Sequence, residues 1–499
     1  MKKLILSALA LAALLSCSRY SLTVTDEVTN AGLFGNGVEW DPYDEALSWG
    51  SEVSDADWDK LRERMDFMRP GYVRCMINSP YLYYDGGEFR PERNSRNILK
   101  LLSYCQERGV DVIYGEFNPP QWSLKGSDEW VRMSVAYLNW LVSENGFSCI
   151  RDFVIFNEPD GNWASTDGDF RFWESMYRRF EKEMRRYPGL GSVRLAGPDA
   201  VLNYRNPASE YDSYGWVEQT ASALDDITGI YDIHCYPGQD YVRSGRFAKD
   251  VARVKALIPQ GKRFIFGEGG YKYHDPADSL LLAEYRRRVE GHPFTKGSDC
   301  NMLVPDYFYA LDMPIFAIEA MNGGASGVAA WMLDDAMHSN GDSGRTEDVK
   351  IWGMWNILGE EVFGDKTLEA ARPWFYTWSL LCRCFPSGAD VLRVKGDLPE
   401  GLFAAASKDA SDRHSLAIVN INCSDIRLEV TVPWTGASAV LTTFTREKGL
   451  EKGRLEQTRV KIADGSKTKL TVPAESFVAL SDSPLLETLM DDYSIEMFR

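Results

Sequence analysis

Between residues 33 and 331 the chain repeats one pattern eight times: a short, continuous apolar run, then a longer stretch with apolar side chains at helical spacing. The runs are 33–40, 72–77, 111–117, 153–157, 193–197, 231–235, 263–267 and 328–331. Unbroken apolarity is what a strand covered on both faces requires, so these runs read as parallel strands sheathed by helices. The helices have recognisable ends. Ser54 is placed to cap 55–68, which Pro70 and Gly71 terminate. Ile98, Leu101, Leu102 and Cys105 share one face of 95–108, and Gly109 suits the position just past its end. Stretches 127–144, 170–187, 216–226 and 246–257 continue the alternation. Eight such units predict an α/β fold, a (β/α)8 TIM barrel. The rival, a doubly wound open sheet, usually carries a glycine-rich phosphate loop after its first strand. Gly35-Asn36-Gly37-Val38-Glu39-Trp40 is no such loop.

After Trp374 the character changes to short alternating runs at 391–394, 402–406, 415–421, 428–432, 439–444, 468–472 and 477–480. That spacing predicts an all-β sandwich. Segment 21–28 also alternates and is expected to join the sandwich, tying the chain ends together. The predicted division is 1–16 signal peptide, 17–30 N-terminal strand, 31–370 catalytic barrel, 371–485 sandwich and 486–499 tail.

Met1-Lys2-Lys3 followed by an apolar run over 4–15 has the form of an export signal, too short for a good membrane span. Leu14-Leu15-Ser16-Cys17 resembles the lipobox of bacterial lipoproteins, which implies cleavage before Cys17 and acylation of its thiol. The expectation is a protein secreted across the inner membrane and lipid-anchored in the outer membrane, facing the periplasm or the outside, with membrane contact only through the anchor. Acidic residues exceed basic ones by 18, a field that repels phosphate backbones and argues against nucleic acid as a partner. No cysteine lies in metal-ligand spacing with histidine, and there is no Cys-x-x-Cys pair. No metal or cofactor is expected, and the oligomeric state is not readable.

Active sites of such barrels gather at the carboxyl ends of the strands. Read in order, those ends present Glu39 and Trp40, Arg74, Glu116 and Asn118, Asn157 and Glu158, Asp199, His234 and Tyr236, Glu268, and Trp331. The set is rich in acids, hydrogen-bonding groups and aromatics and nearly free of lysine, which suits a sugar better than a phosphate.

Asn157-Glu158-Pro159 at the end of the fourth strand resembles the Asn-Glu-Pro signature of clan A glycoside hydrolases. The resemblance covers the barrel. Its layout, with an N-terminal strand feeding a sandwich, is further similar to families 30 and 39 of that clan. The resemblance implies that Glu158 is the acid/base and that Glu268, on the seventh strand, is the nucleophile of a retaining cleavage of β-glycosidic bonds. The partner is then a carbohydrate, a polysaccharide or oligosaccharide. In those roles Glu268 attacks the anomeric carbon while Glu158 protonates the leaving oxygen and later deprotonates a water. Asn157 is expected to bind the sugar 2-hydroxyl, Arg74 to keep Glu268 ionised, and Tyr236 to orient it with His234 alongside. Glu39 and Glu116 are sugar-binding or structural acids.

Aromatic side chains supply the second signal, because pyranose rings pack their C–H faces on aromatic rings. Trp40, Trp122, Trp163, Tyr236, Tyr271, Tyr273 and Trp331 fall at strand ends or in the loops after them, and Trp331 is the foremost platform candidate. Asp334, Asp335, His338 and Asn340 form a polar loop that either lines the cleft or is solvated. The substrate-binding set is thus Asn157, Arg74, His234, Tyr236, Trp331, Glu39, Trp40, Glu116, Asn118 and Trp122. A glycan-binding surface lipoprotein on a decayed barrel is the alternative, though it would have no need of both glutamates.

Overall fold

The structure, a computed structural model, describes residues 20–44, 51–272, 278–290, 301–338, 351–434, 436–447, 453–463 and 466–486. The expected signal segment, Cys17, Tyr273, Asn340 and nearly all of the C-terminal tail lie outside the described residues.

Eight parallel strands close into a barrel: Gly37–Glu39, Tyr72–Ile77, Asp111–Glu116, Ile150–Val154, Arg194–Val201, Thr228–Cys235, Arg263–Gly269 and Val328–Ala330. They are called barrel strands one to eight below. Strand eight pairs with strand one, Ala329 opposite Gly37, and so completes the ring. Alternation sorts each strand's side chains into two layers. Tyr72, Met76, Ile113, Val154, Ala196, Ile230, Ile265 and Ala329 fill the barrel interior. Val73, Cys75, Ile77, Val112, Phe153, Phe264 and Phe266 face outward into the core shared with the helices.

The helix signals hold. Helix Asp55–Met68 starts at Ser54 with a reciprocal capping box to Asp57, and Arg96–Arg108 ends at a left-handed Gly109. Among the described residues no helix is long and apolar enough to cross a membrane.

The remaining strands form one nine-stranded, mostly antiparallel sheet in the order Gly453–Lys461, Ser438–Arg446, Ser476–Ser481, His414–Asn420, Leu402–Lys408, Asp390–Gly396, Tyr20–Asn30, Ile426–Thr431 and Lys467–Val472. It encloses a second core of Leu22, Val24, Leu416, Ile418, Leu428, Val430, Val478 and Leu480. Strand Tyr20–Asn30 pairs antiparallel with Asp390–Gly396 and parallel with Ile426–Thr431, so the chain ends are tied together as expected. Gly453–Lys461 was not foreseen, because charged and polar residues break its apolar alternation.

Helix Pro373–Cys384 precedes the sheet and belongs to the barrel. All twelve of its residues are buried, and Trp378 donates its indole N–H to the carbonyl of Gly37 in barrel strand one. The same helix also meets the sheet, where Tyr376 stacks on Phe444, and the first sheet strand after it starts at Asp390.

Candidate active site

Side chains from six barrel strands converge above the apolar interior layer. On strand six, alternation stacks Ile230, Asp232 and His234 upward along the inside. On strand two it turns Arg74 inward between Tyr72 and Met76. In register, Glu39 neighbours Arg74 and Glu268 neighbours His234.

Simple alternation would turn Glu268 away from this centre, since Phe264 and Phe266, four and two residues earlier, face outward. The register between strands seven and six slips at Gly267, and this bulge re-aims the glutamate into the barrel. Gly267 is required there for space: a Cβ would meet the Asp232 carboxylate at 2.3 Å, and its N–H donates to Asp232 Oδ1 at 2.6 Å. A second slip, between Pro198 and Ala200 on strand five, brings in Asp199. Glu158 lies beyond the end of strand four with φ +47°. Pro159 disfavours the right-handed helical conformation for the residue before it, and the Glu158 N–H is tied to Asp199 Oδ2 at 3.1 Å. A left-handed non-glycine residue is a strained position of the kind found at functional sites.

Arg74 is the hub. Its Nη1 donates to Glu268 Oε1 at 2.7 Å and to both oxygens of Glu39 at 2.8 and 3.0 Å. Its Nη2 donates to Asn157 Oδ1 at 2.8 Å and to Asp199 at 3.2 Å. The bond to Asn157 fixes which way that amide faces and leaves its NH2 to donate elsewhere. Tyr236 Oη donates to Glu268 Oε2 at 2.6 Å. His234 bridges two acids, with Nδ1 3.0 Å from Glu158 Oε1 and Nε2 3.1 Å from Asp199 Oδ1. Trp163 Nε1 donates to Glu158 Oε2 at 2.7 Å.

Charge inside this cluster is balanced by position. Burial alone would lower His234, but the carboxylates of Asp199 and Glu268 outweigh it and hold the imidazole well above its usual value. Burial opposes ionisation of Asp199 too, yet His234 and Arg74 bring it down to about 2. Burial pushes Glu39 and Asp232 up, more than Arg74 can offset. Burial thus opposes the charged forms of Asp232 and Glu39, while pairing with His234 and Arg74 favours that of Asp199.

One donor atom each from Glu158, His234 and Glu268 lie within 4.8 Å of one another, as do those of Asp199, Asp232 and His234. Both sets share His234, whose two ring nitrogens already face carboxylates, Nδ1 that of Glu158 and Nε2 that of Asp199.

Arg74, Asn157, Glu158, His234, Tyr236 and Glu268 thus come together as one constellation. Trp331 closes strand eight, 5% exposed, with its ring stacked on His338 at 5.5 Å. Asn118 and Trp122 are exposed in the loop after strand three, and Trp122 is 55% exposed.

One expected substrate contact, Trp40, is corrected, and Glu116 and Glu39, expected as sugar-binding or structural acids, take structural places. Trp40 is fully buried against Trp58 and Tyr104 on the helix side of the barrel. Glu116 is fully buried and accepts from Ser79, Tyr83, Trp130 and Ser134, which makes it a structural acid. Glu39 is also fully buried, acting on Arg74 beneath Glu268. Of the polar loop, Asp334 anchors Tyr43 and Trp355, and Asp335 anchors Arg372. His338 pairs with Asp41 at 2.7 Å.

Sequence reasoning named Asp199 at a strand end without giving it a role, and passed over Asp232. The signal for both was an acid in an otherwise apolar strand, which burial makes costly unless it has a purpose. Trp163 was counted as an aromatic platform, not as a partner of Glu158.

Solved structures of glycoside hydrolases share this fold, a closed (β/α)8 barrel with a second sheet. A family 30 endoxylanase from Clostridium papyrosolvens superposes with TM-score 0.62 and 13% identity, over 93% of this chain and 100% of that one. A family 39 β-xylosidase from Caulobacter crescentus gives 0.57 and 14%, over 93% and 99%. A family 51 α-L-arabinofuranosidase from Thermotoga petrophila gives 0.61 and 14%, over 93% and 100%. No protein-family model and no curated protein matches the sequence.

Proposed function

We propose that this protein is a retaining glycoside hydrolase that cleaves β-glycosidic bonds in a polysaccharide or oligosaccharide, with Glu268 as nucleophile and Glu158 as acid/base. The observation that carries this reading is the facing of the two glutamates, an oxygen of each within 4.8 Å of the other. Retaining enzymes hold their two carboxyl groups about 5–5.5 Å apart and inverting ones about 6.5–9.5 Å, so oxygens that approach this closely support the retaining reading.

In the first step Glu268 attacks the anomeric carbon as Glu158 gives its proton to the leaving oxygen, forming a glycosyl ester. In the second, Glu158 takes a proton from water, the water oxygen bonds to the anomeric carbon, and the ester breaks to release Glu268. Arg74 and Tyr236 each hold one oxygen of Glu268, which fixes its aim. The Asn157 amide faces the site for a sugar hydroxyl. Export and acylation at Cys17 belong to the same proposal and rest on Leu14-Leu15-Ser16-Cys17; metabolic labelling with a fatty acid, lost in Cys17→Ala, checks them.

The test is a screen of aryl β-glycosides, with xylosides first because of the fold relatives, on wild type, Glu158→Ala and Glu268→Ala with added azide. Azide rescues Glu268→Ala as the α-glycosyl azide and Glu158→Ala as the β-azide. Full activity in both variants would sink the assignment, and a wild type inactive on every β-linked substrate would favour a glycan-binding protein.

A further inference from the structure

Trp163 sits on the loop that follows Glu158 and donates its indole N–H to Glu158 Oε2. The other carboxylate oxygen, Oε1, is held from the barrel interior by His234. Oε2 is therefore the oxygen held from the loop, beside the exposed indole. Trp163 is 46% exposed although its ring is firmly seated. The indole lies on Gly161 so closely that a Cβ there would come within 2.3 Å of it. Tyr204 backs it at 4.7 Å between ring centroids, and the Tyr204 hydroxyl donates to Asn162 Oδ1 on the same loop. The loop is braced in turn by Thr166 Oγ1 on the Pro159 carbonyl and by Lys125 Nζ on the Ser165 carbonyl. An open, rigid ring offers apolar area to a ligand with little ordering left to lose.

We infer that Trp163, backed by Tyr204, is the platform for the leaving-group sugar. The substrates are then β-linked oligosaccharides or polysaccharides whose leaving group is a pyranose with a C–H face to stack, and not glycosides of small alcohols. This rests on Glu158 being the acid/base. The indole face meets the departing sugar while its N–H positions Glu158.

The experiment compares two substrates of whichever sugar the aryl-glycoside screen selects: the β-linked disaccharide and the β-glycosyl fluoride. Fluoride has no ring to stack and leaves without a proton donor. In Trp163→Ala, kcat/KM for the disaccharide falls roughly tenfold further than for the fluoride. Trp163→Phe keeps a ring and loses the N–H, so its disaccharide KM stays close to wild type while kcat falls. Equal losses on both substrates in Trp163→Ala would overturn the platform, as would a disaccharide KM that rises as much in Trp163→Phe as in Trp163→Ala. A wild type that leaves the fluoride intact, or Glu158→Ala cleaving the disaccharide at the wild-type rate, would overturn the reading beneath it.

Discussion

Arg74 Nη1 lies 2.7 Å from Glu268 Oε1, and both side chains are buried. The two residues are 194 positions apart in the chain. The same guanidinium reaches Glu39, Asp199 and Asn157, a fan of contacts that only a planar five-donor group can make.

Arg74→Lys keeps the charge and loses the fan. A single ammonium cannot hold Glu268, Asn157 and Asp199 at once, so kcat/KM on the best aryl glycoside falls by about a hundredfold or more. Arg74→Met leaves buried carboxylates unpaired and destabilises the fold by about 3–5 kcal/mol. Kinetics and thermal melts check the two variants separately.

Tyr236→Phe removes one hydrogen bond to Glu268 and little packing. A bond to an ionised acceptor is worth about 1.5–3 kcal/mol, so kcat/KM drops roughly tenfold to a hundredfold with the melting temperature nearly unchanged. An undiminished rate would mean that Tyr236 does not orient Glu268.

Glu116→Gln separates a structural acid from a sugar-binding one. Glu116 accepts from four side-chain donors, and a glutamine amide would turn its own N–H groups toward some of them. The fold loses about 1–3 kcal/mol, measured by thermal melting, while KM stays at the wild-type value. A rise in KM at unchanged stability would restore Glu116 to the substrate site.

Stability is greatest in mild acid. Burial raises Asp160 to about 8 and Asp152 to about 7, so the folded state binds these protons more tightly than the unfolded chain does. Their contribution is complete below the ordinary carboxylate value of about 4 and is lost as pH rises through 7 and 8. His234, raised above its usual value, acts in the same sense, complete below about 6.5 and lost at higher pH. Asp199, lowered to about 2, acts in the opposite sense, complete above about 4 and lost as pH falls toward 2. Thermal melts from pH 3 to 9 therefore show a maximum between about pH 4 and 6. A maximum at pH 8 or above would contradict these assignments.

Alternating apolar runs and capped helices were enough to read the barrel, its eight strands, the N-terminal strand's place in the sheet and the two glutamates at strands four and seven. These are local features: the period of a strand, the stop of a helix, the residue at a strand's end. Trp40 was misjudged for the same reason, since position at a strand end says nothing of which side of the wall a ring takes. Packing against Trp58 and Tyr104 decided that.

Direction was the part that only the tertiary structure decided. A strict period of two sends Glu268 outward; the slip at Gly267 turns it in, at a point where Asp232 on the neighbouring strand fills the space a side chain at 267 would need. Asp199 is likewise turned in by a slip on strand five. The partners of Glu158, His234 and Trp163, come one from a strand two places away and one from its own loop. Barrel closure brings such groups within hydrogen-bond reach, and no spacing along the chain encodes which of them will meet.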